Sequence, residues 1–170
     1  GDDVMLGDAG GTLTTVTPGK NYNIALMVDI SGSMAGTSGT AGLSRFQLTV
    51  QALENFVNSM KNHDGVLNVK LIPFDNYVLG TYEVKGLNAS NAHLLINAIK
   101  TMPITNQATN YEAAFADAVS WFNGLTSQTN ASSFENVTYF LTDGNPTTYF
   151  NSNGLLAGDG ASVYLPLVDA

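Results

Sequence analysis

The stretch Asp29-Ile30-Ser31-Gly32-Ser33 puts one carboxylate and two hydroxyls at alternate positions. While the chain is extended, alternate side chains point the same way, so these three oxygen carriers can converge on one point. Gly32 lets the backbone turn tightly around that point. Two hydroxyls with carboxylates, some acting through water, suit a hard cation such as Mg²⁺. Asp, Ser and Gly are common in loops, so the pattern needs its context to acquire meaning. Two more oxygen carriers follow downstream, Thr109 in a polar loop before a helix and Asp143 just past an apolar strand.

The elements that must position these residues are readable from hydropathy. Tyr22 to Ile30 is a short apolar run, expected as a strand buried on both faces. It leads into the Gly/Ser loop SGSMAGTSGTAG. From Ser44 to Met60 the apolar positions Phe46, Val50, Leu53, Phe56, Val57 and Met60 recur at helical spacing, with Ser44 as N-cap. Val66 to Phe74 is a second strand. Tyr77 to Val84 is a third, antiparallel to it, with Asp75 and Asn76 making the turn. Helices are expected over Ser90 to Lys100, with Leu94, Leu95, Ala98 and Ile99 facing inward, and over Tyr111 to Phe122. Asn136 to Leu141 is a further buried strand. This alternation predicts an α/β fold with an open, mostly parallel, doubly wound sheet flanked by helices. In such sheets ligands bind outside the carboxyl ends of the strands, where Asp29 and Asp143 both fall.

Composition narrows the function. The formal charge is −8, and Arg45 with five scattered Lys forms no cationic stripe, so nucleic acid is not an expected partner. An acidic surface suits cations. Cysteine is absent, which removes thiolate metal sites, thiol nucleophiles and disulfides together. No run approaches the ~20 apolar residues that span a bilayer, and no cleavable signal is visible at the N-terminus. The low charge and the abundance of Thr, Asn, Ser and Gly fit an extracellular bacterial protein.

Three motifs carry a resemblance: ValAspIleSerGlySerMet at 28–34, ThrAsnTyrGluAlaAlaPhe at 109–115 and PheLeuThrAspGlyAsnPro at 140–146. In this order they resemble the von Willebrand factor type A domains, which include the integrin I domains, over roughly residues 20–146. The resemblance implies a metal-ion-dependent adhesion site. Ser31, Ser33 and Thr109 would be direct or near-direct ligands, with Asp29 and Asp143 acting directly or through water. It implies Mg²⁺, or Ca²⁺ or Mn²⁺, with one position left for a partner's carboxylate. After Asp143 the chain departs from the family. Residues 145–161 read as irregular and 162–168 as a last strand, where the family continues with helix, strand and helix. Residues 1–20 read as a lead-in to a domain over 21–170. GlyAspAspValMetLeuGlyAspAlaGlyGly at 1–11 is similar to the Ca²⁺-binding repeat of RTX proteins, although one partial copy cannot form a roll and a tail is the plainer reading. Together the two likenesses imply the type A module of a large bacterial RTX adhesin. Such a protein is exported by type I secretion to the cell surface and binds a protein or glycan, biofilm matrix, or other domains of the same adhesin.

Other residues have plainer readings. His63 and His93 lack any zinc signature. Glu112 is a first-turn acid favoured by the helix dipole, or an orienter of a ligand. Phe115, Trp121 and Phe122 are expected in the core, while Tyr149 and Phe150 either flank the site or pack the loop. Two rival functions remain. One is a phosphatase with Asp29 as nucleophile, although the second acid it needs is replaced by Ser31. The other is a spacer that a metal only stiffens.

Overall fold

The computed structural model describes residues 17–126 and 133–158. The Gly/Asp-rich stretch at 1–11 and the strand expected at 162–168 lie outside them. The chain builds β1 (Asn21–Asp29), α1 (Arg45–Met60), β2 (Leu67–Phe74), β3 (Tyr82–Val84), α2 (Ala92–Lys100), α3 (Tyr111–Thr126) and β4 (Phe134–Leu141). A hairpin follows, β5 (Tyr149–Phe150) and β6 (Leu156–Ala157). The main sheet has the order β3-β2-β1-β4. β1 is parallel to both neighbours, with Asp29 opposite Phe74 and Val28 opposite Leu141. β3 is antiparallel to β2.

β1 is the buried centre, as its continuous apolar run requires. Tyr22, Ile24, Leu26, Val28 and Ile30 face one way and pack with Leu53 and Val57 of α1 and Leu95 and Ile99 of α2. Ala25 and Met27 face the other way, with Ile72 and Phe74 of β2 and Ala114 and Ala118 of α3. The first face is filled by branched aliphatics. The second is thin and alanine-rich, with Phe140, Tyr111, Trp121 and Phe122 around its margin. Helices on both faces are what the alternating pattern predicts. Among the described residues no helix is long and apolar enough to cross a membrane.

Several expectations change. β3 is three residues long, because the chain after β2 makes only an isolated bridge at Val78 before Tyr82. β4 is not buried throughout: it is the edge of the described sheet, and Glu135, Asn136 and Thr138 are exposed. Phe115 is 44% exposed and Leu94 43%. Helical spacing identifies an apolar face, but only tertiary packing decides how much of that face is covered. Residues 149–157 are a small hairpin rather than irregular chain. The Asn151 side chain accepts from the backbone N–H groups of Asn153 and Leu155, and Gly154 takes a positive φ of 72° to close the turn.

Candidate metal centre

Asp29 ends β1 and is fully buried. Its Oδ1 accepts the backbone N–H of Ser31 at 2.8 Å, and its Oδ2 accepts the Thr142 hydroxyl at 2.8 Å. Ser31 is still extended (φ −64°, ψ 167°) and buried. The chain then winds into a short 3-10 turn, Gly32–Ala35. Simple strand alternation therefore stops at Ser31, and the turn is what carries Ser33 round to its neighbours. The Ser31 and Ser33 hydroxyl oxygens lie 3.2 Å apart, with Ser33 on the exposed side.

The second loop is tied under the first by backbone bonds. Thr105 N–H donates to the Ile30 carbonyl at 2.8 Å, and Gly32 N–H to the Gln107 carbonyl at 3.1 Å. Thr109, buried just before α3, donates its hydroxyl to Ser31 Oγ at 3.0 Å. The third loop leaves β4. Asp143 Oδ1 accepts from Ser33 Oγ at 2.8 Å, and its Oδ2 accepts from Arg45 Nη1 at 2.6 Å. The same loop then clamps the second one: Thr147 and Thr148 N–H both reach the Thr109 carbonyl, at 2.9 and 3.1 Å.

All five residues expected from sequence thus gather at one rim, with Thr109, Ser31, Ser33 and Asp143 in one hydrogen-bonded row beside Asp29. Burial pushes the Asp29 carboxyl above the usual carboxylate range. Hydrogen bonds from Ser31 and Thr142 oppose this, and the charge of Asp143 adds to it. The Tyr111 hydroxyl, which donates to the Gly144 carbonyl, is also pushed up, chiefly by burial. Among the described residues no three His, Cys, Asp or Glu side chains converge. The donors here are two carboxylates and three hydroxyls, a set that fits a hard, oxygen-seeking cation rather than zinc.

Sequence reasoning missed three residues here. Thr142 holds the buried oxygen of Asp29, Arg45 holds Asp143, and Thr148 donates to Asn76 Oδ1 at 2.9 Å. Asn76 and Asp75 do more than turn the chain, since their carbonyls accept from the Asn110 side chain and backbone. Of these, Arg45 alone carried a signal, as the single Arg in the sequence. Glu112 accepts the Phe150 N–H at 2.8 Å and so anchors the hairpin. Phe150 lies against Tyr77, with ring centres 6.0 Å apart. His63 donates Nε2–H to the Lys20 carbonyl at 2.7 Å, far from the rim at the start of β1.

Comparison with known proteins follows this geometry. No curated sequence matches significantly. Among solved structures the chain is similar to an adhesive tip pilin from Group B Streptococcus agalactiae (TM-score 0.55, 15% identity, 77% of this chain and 47% of that one). It is also similar to the pilus adhesin SpaC from Lactobacillus rhamnosus GG in its open conformation (TM-score 0.53, 23% identity, 82% and 17%). A third is an uncharacterized membrane spanning protein from Vibrio fischeri (TM-score 0.51, 14% identity, 85% and 82%). The chain spans less than half the length of the two pilus proteins. At these identities the likeness is one of fold. The profile of the von Willebrand factor type A domain matches residues 24–145, most of the chain and all five rim residues. The protein therefore belongs to the von Willebrand factor type A domain family.

Proposed function

We propose that the rim is a metal-ion-dependent adhesion site, in which Asp29, Ser31, Ser33, Thr109 and Asp143 hold a divalent cation that grips a carboxylate on a protein or glycan partner. The observation that carries this reading is the convergence of oxygen donors from three separate loops, linked at 2.8–3.2 Å. Mg²⁺ suits the donor set best, with Ca²⁺ and Mn²⁺ as alternatives. The three hydroxyls add no negative charge of their own, so the cation stays electrophilic towards an incoming carboxylate. A positive charge beside Asp29 would offset the burial that disfavours its ionised form.

Binding, rather than catalysis, is the role we assign. A nucleophilic Asp29 would need a free oxygen, and both of its oxygens are engaged in a fully buried side chain. Adhesion at a bacterial surface is supported by the pilus adhesins that share the fold. An RTX adhesin exported by type I secretion, with Ca²⁺ on the Gly/Asp-rich lead-in, is the finer form of this proposal. Calorimetric titration with Mg²⁺, Mn²⁺ and Ca²⁺ tests the centre: saturable one-site binding is expected, and no binding by any of the three ends the reading. Surface attachment by a Ser31→Ala/Ser33→Ala variant then separates adhesion from mere stiffening of the fold, because only adhesion requires the attachment to be lost.

A further inference from the structure

Arg45 occupies an unexpected place. It is the only Arg in the chain and the first residue of α1. A cation is disfavoured there, since the N-terminal end of a helix already carries partial positive charge. The start of α1 has no need of it either. Ser44 and Gln47 form a reciprocal capping box, with Gln47 N–H on Ser44 Oγ at 3.1 Å and Ser44 N–H on Gln47 Oε1 at 2.8 Å. The contacts of the guanidinium lie elsewhere. Nη1 donates to Asp143 Oδ2 at 2.6 Å and reaches the Ser33 carbonyl at 3.4 Å. Gly36 provides the surface against which it lies: a Cβ there would stand 3.0 Å from the Ser33 carbonyl and 3.5 Å from Nη1. The Asp143 side chain is 3% exposed, whereas that of Arg45 is 45% exposed. The Arg45 side chain therefore covers the carboxylate while staying half in solvent, next to the exposed Ser33.

We infer that Arg45 is a built-in cation of the rim, which weakens the hold on a divalent ion and strengthens the hold of the loaded centre on a partner's carboxylate. This rests on the metal reading above. The charges decide it. Ionised Asp29 and Asp143 contribute −2, and Arg45 returns +1. A divalent ion then leaves the centre at +1, where without Arg45 it would be neutral. The extra positive charge repels the ion and attracts the incoming anion, so the two affinities move in opposite directions. Arg also presents N–H donors in the fork that matches a carboxylate. A residue that merely positioned Asp143 would move both affinities the same way.

The test uses Mn²⁺ as the ion and acetate as the carboxylate, on the full chain. Free Mn²⁺ is followed by electron paramagnetic resonance, and acetate binding by its displacement of Mn²⁺-bound water in proton relaxation. In Arg45→Gln, Mn²⁺ affinity is expected to rise and acetate affinity to fall, each on the order of tenfold. The stabilisation by Mn²⁺ in urea unfolding rises with the metal affinity. Arg45→Lys keeps the charge and is expected within about threefold of wild type for Mn²⁺, since compact charge rather than fork geometry sets that term. It also provides the comparison if Arg45→Gln does not fold: a Lys variant with strongly weakened Mn²⁺ binding shows that geometry, not charge, matters, and overturns the inference. A Gln variant that loses affinity for both ligands, or changes neither, overturns it while leaving the metal reading intact. Wild-type protein that binds no Mn²⁺ overturns both.

Discussion

Asp29 closes β1, and Asp143 lies two residues beyond the end of β4, the parallel neighbour of β1. The two acids share a rim but are held by different means. Asp29 is enclosed, and its partners are a backbone N–H two residues along and a hydroxyl from the β4 side. Asp143 is covered by an exposed serine and by a long, half-exposed cation. The first arrangement is part of the fold, because a buried carboxylate without its donors is costly. The second can be rearranged by rotating two side chains. One acid therefore serves as a fixed floor and the other as an adjustable wall.

Removing each acid sharpens this contrast most. Asp29→Ala leaves buried donors without an acceptor and is expected to lower unfolding stability by about 1–3 kcal/mol. Asp143→Ala frees groups that water can reach and is expected to cost about 1 kcal/mol or less. Both variants should lose Mg²⁺ binding by calorimetry. Equal urea midpoints for the two would abolish the distinction between floor and wall.

Thr142→Ala is the next test, since this hydroxyl crosses from the β4 loop to the floor. It is expected to cost about 1 kcal/mol of stability. It should also reduce Mg²⁺ affinity by roughly tenfold, the lower end of what an orienting partner contributes. Thr142→Ser should restore both. A Thr142→Ala protein with unchanged affinity would show that Asp29 needs no second anchor. The smallest effect belongs to the mount of the wall. Gln47→Ala removes half of the capping box beneath Arg45 and is expected to cost about 0.5 kcal/mol. Its Mg²⁺ affinity should stay close to wild type, and a large loss would mean that the wall is as rigid as the floor.

The floor was far more legible in the sequence than the wall. Asp29, Ser31 and Ser33 alternate within one short stretch, and the apolar run before them marks both the strand and its end. Thr109 and Asp143 became readable through likeness to a family, because no local pattern links residues so far apart. Arg45, Thr142 and Thr148 stayed hidden for the same reason: each acts through a contact formed only once the loops have met. The sheet was anticipated from periodicity, with helices on both of its faces. The exposure of β4, Phe115 and Leu94 was not, because hydropathy marks what can be buried and says nothing about what covers it. The hairpin at 149–157 did leave a trace, an AsnGly pair at 153–154 that commonly marks a tight turn.

The alanines under α3 carry one last consequence. Ala25 on β1 and Ala114 and Ala118 on α3 are fully or almost fully buried where the helix meets the sheet. Single methyl groups in that layer act as a shim, fixing how near the helix can settle. Thr109 stands just ahead of that helix and reaches Ser31 across 3.0 Å. A branched side chain at Ala114 would jack up the leading end of α3 and draw the threonine out of reach. The tolerance of the rim is thus machined several ångströms below it, by carbon atoms that touch none of its oxygens.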